Sequence, residues 1–111
     1  MRASLSIPEP VVTEYIRYLI PDGQAEAFTR AYTEAQRPLS ASPHCLAYDL
    51  QRCVEEPGRF VLRITWDSLD GHMRGFRGSE EFRAFLGHIR PFVGMIEEMQ
   101  HYQGIGIASE P

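Results

Sequence analysis

The clearest hydrophobic pattern in the chain lies at residues 59–66 (RFVLRITW), where Phe60, Leu62, Ile64 and Trp66 alternate with Arg59, Val61, Arg63 and Thr65. This period of two is that of a half-buried strand. Residues 11–20 (VVTEYIRYLI), rich in β-branched and aromatic side chains, predict an earlier strand. Pro21-Asp22-Gly23 is a turn. A helix then carries Ala25, Phe28, Ala31, Tyr32 and Ala35 on one face and is expected to end at Pro38 and the Ser/Pro-rich 39–43 stretch. Residues 45–54 predict another strand, with Leu46, Tyr48, Leu50 and Val54 on one side, followed by a turn at 55–58.

Beyond Trp66 the period changes. Asp67-Ser68 caps a short helix whose stripe is Leu69, His72, Met73 and Phe76. Ser79 caps a longer one, with Glu80 and Glu81 in its first turn, where acidic groups suit the helix dipole. Its stripe is Phe82, Phe85, Leu86, Ile89, Val93 and Ile96, and Pro91 kinks or restarts it. A last strand starts near Met99 and includes Tyr102 and Ile105. The order β-α-β-β-α-α-β predicts an α+β ferredoxin-like sandwich, a four-stranded antiparallel sheet with helices on one face. We expect a loose leader at 1–10, a single domain at 11–107 and a short tail at 108–111.

The second sheet face carries Cys45, Ala47, Val61 and Thr65 beside Asp49 and Arg63. That face is too apolar for full solvation and too polar for an ordinary core. A two-fold homodimer formed through it accounts for both properties.

Composition narrows the function classes. At 111 residues the chain can hold one modest core. A net charge of −4 with scattered cations excludes a nucleic-acid footprint or an anionic-membrane patch. No apolar run approaches the ~20 residues of a membrane span, and the N-terminal stretch lacks the pattern of a secretory signal. Cys45 and Cys53, eight apart on an extended segment, lie too far apart to bridge, and no CxxC or metal-type spacing occurs. Both read as small packing residues on the dimer side of the strand, and free thiols suit a reducing cytoplasm.

The candidate site joins the third strand to the short helix. A Trp ending a strand and a His one helical turn later can line one cavity. A buried indole N–H needs a partner, which a ligand or a backbone carbonyl supplies equally well. His72 is suited to take a proton from a phenol near neutral pH; the alternative is a helix His bonded to the sheet or to Asp70. Arg83 is a partner for an enolate or carboxylate, or part of a solvated face. Tyr32 and Tyr48 project from apolar stripes and can hold a polar group of an aromatic ligand. Phe28, Leu62, Phe76 and Leu86 complete the expected substrate-binding set.

The segments SPHCLAYDLQR and EEPGRFVLRITWDSLDGHMRGFRGSEEF, with the terminal HY, resemble the antibiotic biosynthesis monooxygenase domain of the dimeric α+β barrel superfamily, over roughly residues 11–105. The resemblance implies a dimeric barrel and, in one branch, cofactor-free oxygenation of anthrone-type aromatics. In that branch Trp66 matches the catalytic Trp and Arg83 the Arg of the long helix, while Leu62 and His72 stand where Asn and Tyr are found. Haem-degrading relatives carry a His where this chain has Leu86, and His88 faces elsewhere on the helix. The resemblance therefore implies a small monooxygenase acting on a phenolic or polycyclic aromatic without a cofactor or metal, with Trp66, His72 and Arg83 as its catalytic residues. A cyclase or isomerase on the same scaffold, or a non-catalytic small-molecule-binding accessory protein, are the alternatives.

Overall fold

The computed structural model describes residues 10–109; the expected leader lies, apart from Pro10, outside the described residues. Its elements are β1 (Val12–Leu19), α1 (Ala25–Ala41), β2 (Cys45–Arg52), β3 (Arg59–Trp66), a π-helical turn (Gly71–Phe76), α2 (Glu80–Ile89), a 3-10 turn (Arg90–Met95) and β4 (Ile96–Tyr102). The strands form one antiparallel sheet in the order β2-β3-β1-β4, and α1 and α2 pack together over one of its faces. This is the ferredoxin-like α+β sandwich.

The core lies between sheet and helices. Phe60, Leu62, Ile64 and Trp66 of β3 are all buried there, against Phe28, Tyr32, Ala35 and Leu39 of α1 and Phe85 and Ile89 of α2. Helix α1 passes through Pro38 instead of ending at it. One more turn places Leu39 in the core, fully buried, in register with Phe28, Tyr32 and Ala35. Burying a leucine stabilises by about 1.5–3 kcal/mol, which offsets one missing backbone bond in the last turn.

Two strand expectations are corrected by bulges. The pairing of β2 with β3 shifts between Cys45 and Ala47, so Leu46 is the extra residue and turns out to solvent. One inserted residue inverts the alternation. Cys45 therefore sits opposite Trp66 and packs against the core, not on the open face with Ala47 and Asp49. Strand β2 ends at Arg52, leaving Cys53 and Val54 beyond it. In β4 a shift around Glu97 puts Ile96, Met99 and His101 on the helix-facing side. The strand starts at Ile96, which the helical stripe had claimed, and ends before the exposed Ile105.

The open face carries Tyr15, Ala47, Val61 and Thr65 with ion pairs Arg63–Asp49 (2.6 Å) and Arg17–Glu98 (3.0 Å). Among the described residues no helix is long and apolar enough to cross a membrane.

Candidate functional site

The turn after β3 is built from local capping. Ser68 Oγ accepts from the Gly71 N–H at 2.8 Å, and its carbonyl accepts from the His72 N–H at 3.2 Å. The helical segment then widens, with Arg77 N–H bonded to the His72 carbonyl five residues back. In this wider turn His72 and Phe76 both face inward, while Leu69 and Met73 face solvent, so half of the expected stripe is not a core stripe. Ser79 caps α2 by accepting from the Phe82 N–H at 3.2 Å. Together these caps hold α2 over the His72 side of the sheet.

Between β1, β3, β4 and α2 lies a cavity of about 220 Å³. Its apolar walls include Ile16, Ile64, Phe76, Phe85, Leu86 and Ile89. Val93 and Met99 line it and are also exposed, which marks its mouth. Its polar groups are gathered together: Glu14, Trp66, His72 and Arg77.

Glu14, Trp66 and His72 touch one another, and Arg77 acts on them through its charge. The Trp66 indole N–H donates to Glu14 Oε1 at 3.1 Å. The His72 ring stacks on the indole with centroids 4.3 Å apart and planes 10° apart. His72 Nδ1 lies 2.7 Å from His101 Nε2, and His72 Nε2 lies 3.5 Å from Glu14 Oε1. Glu14 and His101 face each other directly in the β1–β4 ladder. The structural partner of His72 is thus β4; Asp70 instead pairs with Arg74 at 3.2 Å.

Burial governs the electrostatics. It holds the Glu14 carboxyl above its ordinary range, against the opposing pull of the Trp66 hydrogen bond and the Arg77 charge. It pushes the His72 imidazole down to about 3, helped by His101 and Arg77, and it lowers His101 in the same direction. The site therefore holds neutral imidazoles at neutral pH. The Nε of Arg77 is buried without a hydrogen-bond partner, leaving a donor for an anionic or carbonyl oxygen.

Trp66, His72, Phe76 and Leu86 are brought together around this cavity. The other expected residues are not. Arg83 is exposed on the outer side of α2, because the α2 side chains that reach the cavity are Phe82, Phe85, Leu86 and Ile89; Arg77, from the end of the π-helical turn, supplies the cation instead. Tyr32, Tyr48 and Leu62 line a separate groove between α1 and β2, where Tyr48 O–H donates to Gln36 at 2.8 Å. Phe28 is fully buried core, packed edge-on to Tyr18 and Phe92. Tyr32 meets the cavity only indirectly, through a 2.5 Å hydroxyl contact with Tyr18.

Glu14, Arg77 and His101 did not stand out in the sequence. Glu14 carried a usable signal, since it shares strand parity with Val12, Ile16 and Tyr18. His101 stood only in the terminal HY of the resemblance, and no local pattern gave its facing, because the β4 bulge sets it.

Glu14, His72 and His101 also form the one group among the described residues whose ligand atoms could face a common ion, all within 4.8 Å of one another. Ligands about 2.1 Å from one metal lie at most ~4.2 Å apart. The His72 contacts of 2.7 Å to His101 and 3.5 Å to Glu14 fall inside that span, but each uses a different nitrogen of the ring, so in this arrangement no single His72 nitrogen faces both partners.

A family model described as antibiotic biosynthesis monooxygenase matches residues 11–87. The chain belongs to this family. It is 26% identical over 95 residues to protein YczJ of Bacillus subtilis strain 168, covering 86% of this chain and 100% of that one. A solved antibiotic biosynthesis monooxygenase-type protein from Bordetella bronchiseptica is 26% identical, with a TM-score of 0.71 over 87% of this chain and 99% of its own. SnoaB of Streptomyces nogalater, a cofactor-independent oxygenase, shares the fold at 16% identity, with a TM-score of 0.69 over 92% of this chain and 98% of its own. The antibiotic biosynthesis monooxygenase family is a monooxygenase-type family, and the cavity described above lies between its sheet and α2.

Proposed function

We propose that the protein is a cofactor-independent monooxygenase that oxidises a small phenolic or fused-ring aromatic in the cavity beside Trp66. The observation that carries this reading is the joined group Glu14–Trp66–His72 at the wall of an otherwise apolar pocket. Apolar walls bind a flat aromatic and exclude water, while the polar group removes a proton from it. The volume, below the ~300–1,000 Å³ of drug-sized sites, favours the smaller, phenolic end of the substrate range.

The chemistry balances without a cofactor. Loss of a proton from an activated CH₂ or phenol gives a carbanion-enolate. Molecular oxygen takes electrons from that anion and bonds to its carbon. The resulting hydroperoxide loses water to leave C=O, so CH₂ plus O₂ becomes C=O plus H₂O. His72 Nε2 receives the proton, the free Nε–H of Arg77 meets the enolate oxygen, and Trp66 holds the imidazole plane by stacking.

A cyclase or isomerase reading is favoured by one observation: the cavity lining contains acid–base groups but no Asn or Gln among the described residues. We further propose that two copies pack through the open sheet face, in a reducing cytoplasm that keeps both cysteines free. The test is oxygen uptake with anthrone and hydroquinone substrates, with product analysis in air and under argon. Uptake lost in His72→Ala supports the oxygenase; product formed equally under argon replaces it with the isomerase. Light scattering at micromolar concentration reads the dimer.

A further inference from the structure

A lone imidazole as acidic as that of His72 is a poor base, and the geometry around it offers a way past this limit. Its Nδ1 lies 2.7 Å from His101 Nε2, so one of the two nitrogens carries a hydrogen and donates. Its Nε2 makes no hydrogen bond among the described residues, and Glu14 Oε1 lies 3.5 Å from it, beyond good hydrogen-bond length. A hydrogen on Nε2 would find no described acceptor at good length, whereas one on Nδ1 is held in the 2.7 Å contact. Placing it on Nδ1 satisfies the 2.7 Å bond and leaves a lone pair at Nε2.

We propose that His101 is the outlet of a two-imidazole proton relay: His72 accepts the substrate proton at Nε2 while its Nδ1 hydrogen passes to Nε2 of His101, which releases its own Nδ1 proton to water. This rests on the oxygenase or isomerase reading of the cavity and supplies its missing base. One proton leaves the substrate and one reaches solvent; His72 stays neutral with its hydrogen now on Nε2. The reverse transfer, in which Nε2 gives that hydrogen to the anionic product (the peroxide of the oxygenase) while His101 takes one back from water, restores the starting tautomers. The positive charge passes to His101, which is half-buried, and never stays on His72, which is 3% exposed. The charged groups facing the pair are Glu14, opposite His101 across the ladder, and Arg77. Burial lowers both imidazoles, so the proton is handed on and not stored.

The relay is tested on the whole chain by ¹⁵N ring NMR of labelled histidine and by anthrone-dependent oxygen uptake. The expected spectrum has His72 in the Nδ1–H form, coupled across the hydrogen bond to His101 Nε2. His101→Ala and His101→Gln should both lower kcat at least tenfold with KM little changed, and added imidazole should restore the Ala variant. The Gln variant can bond to His72 but cannot take up and release a proton, so a structural role alone would leave it active. A His72 hydrogen on Nε2, or unchanged kcat in both variants, overturns the relay. So does a visible Co(II) band that vanishes in His101→Ala, because the pair would then be metal ligands. Wild-type protein that neither consumes oxygen nor converts anthrone removes the functional reading, while the ring spectrum still decides the relay.

Discussion

The indole of Trp66 and the imidazole of His72 lie face to face, 4.3 Å between centroids and 10° between planes, although one ends a strand and the other begins a π-helical turn. The stack orients His72 so that its two nitrogens reach different strands, Glu14 on β1 and His101 on β4. Trp66 in turn is tied to β1 by its indole N–H.

Trp66→Phe keeps a ring in the core but removes the donor to Glu14. A buried carboxyl that loses its partner costs about 1–3 kcal/mol, and the smaller ring adds a cavity cost. Urea unfolding should show a lowered midpoint with an unchanged slope, and Trp66→Phe,Glu14→Leu should recover part of the loss. A double variant no more stable than the single one would refute the desolvation argument.

Stability should fall on mild acidification because of His72. Its folded value of about 3 lies below the ordinary 6.5, so the unfolded chain takes up a proton first as pH drops. The stability it contributes is present above ~6.5 and is lost as pH falls toward 3, at roughly 1.4 kcal/mol per pH unit. Glu14 works in the opposite sense. Its folded value is raised, so its contribution is present at low pH and lost as pH rises through that value. Chemical denaturation from pH 7 to 4 should therefore show His72→Phe losing less stability, or gaining more, than the wild type, the difference between the two slopes being the His72 share.

Arg77 and Arg83 give a matched comparison. Arg77→Gln should raise KM or lower kcat about tenfold or more, because it alone among the two reaches the cavity. Arg83→Gln, on the solvent side of α2, should leave both unchanged. Steady-state oxygen uptake separates them, and equal effects would mean that substrate binds outside the cavity.

Glycine at positions 71 and 75 makes room for His44. A Cβ at Gly75 would run into the His44 ring, and one at Gly71 would strike the Asp67 carboxylate that holds His44 at 3.0 Å. Overpacking costs about 1–3 kcal/mol. Gly75→Ala should therefore lower Tm, and His44→Ala in the same chain should relieve most of the loss. The π-helical turn that carries His72 would move as well, so activity should fall with Gly75→Ala.

Tyr18 and Tyr32 share a short hydroxyl contact inside the core. Burial pushes Tyr18 up to about 12 and holds Tyr32 well above the ordinary tyrosine value, so neither ionises in ordinary buffers. Each single change to Phe strands one hydroxyl and should cost about 1 kcal/mol or more, while the double change should cost less than the sum. Additive losses in urea titrations would contradict a direct bond.

Local periodicity determined most of the architecture. Alternation at 59–66 placed Trp66 on the core face, Ser79 with its two glutamates marked the start of α2, and Pro91 marked its end. From these the order of elements and the ferredoxin-like class follow, because a strand or helix stripe is encoded within a few residues of itself. What tertiary structure alone decided are matters of register and opposition. An inserted residue at Leu46 flips Cys45 to the core, and one at Glu97 goes with the helix-facing setting of His101. Leu39 carries α1 past Pro38 because there is a core to enter. Glu14, His72 and His101 lie 58 and 29 residues apart along the chain and meet only when β1 has paired with β4 and the widened turn has turned His72 inward. No local pattern specifies that meeting, since it depends on which residue of one strand faces which residue of another.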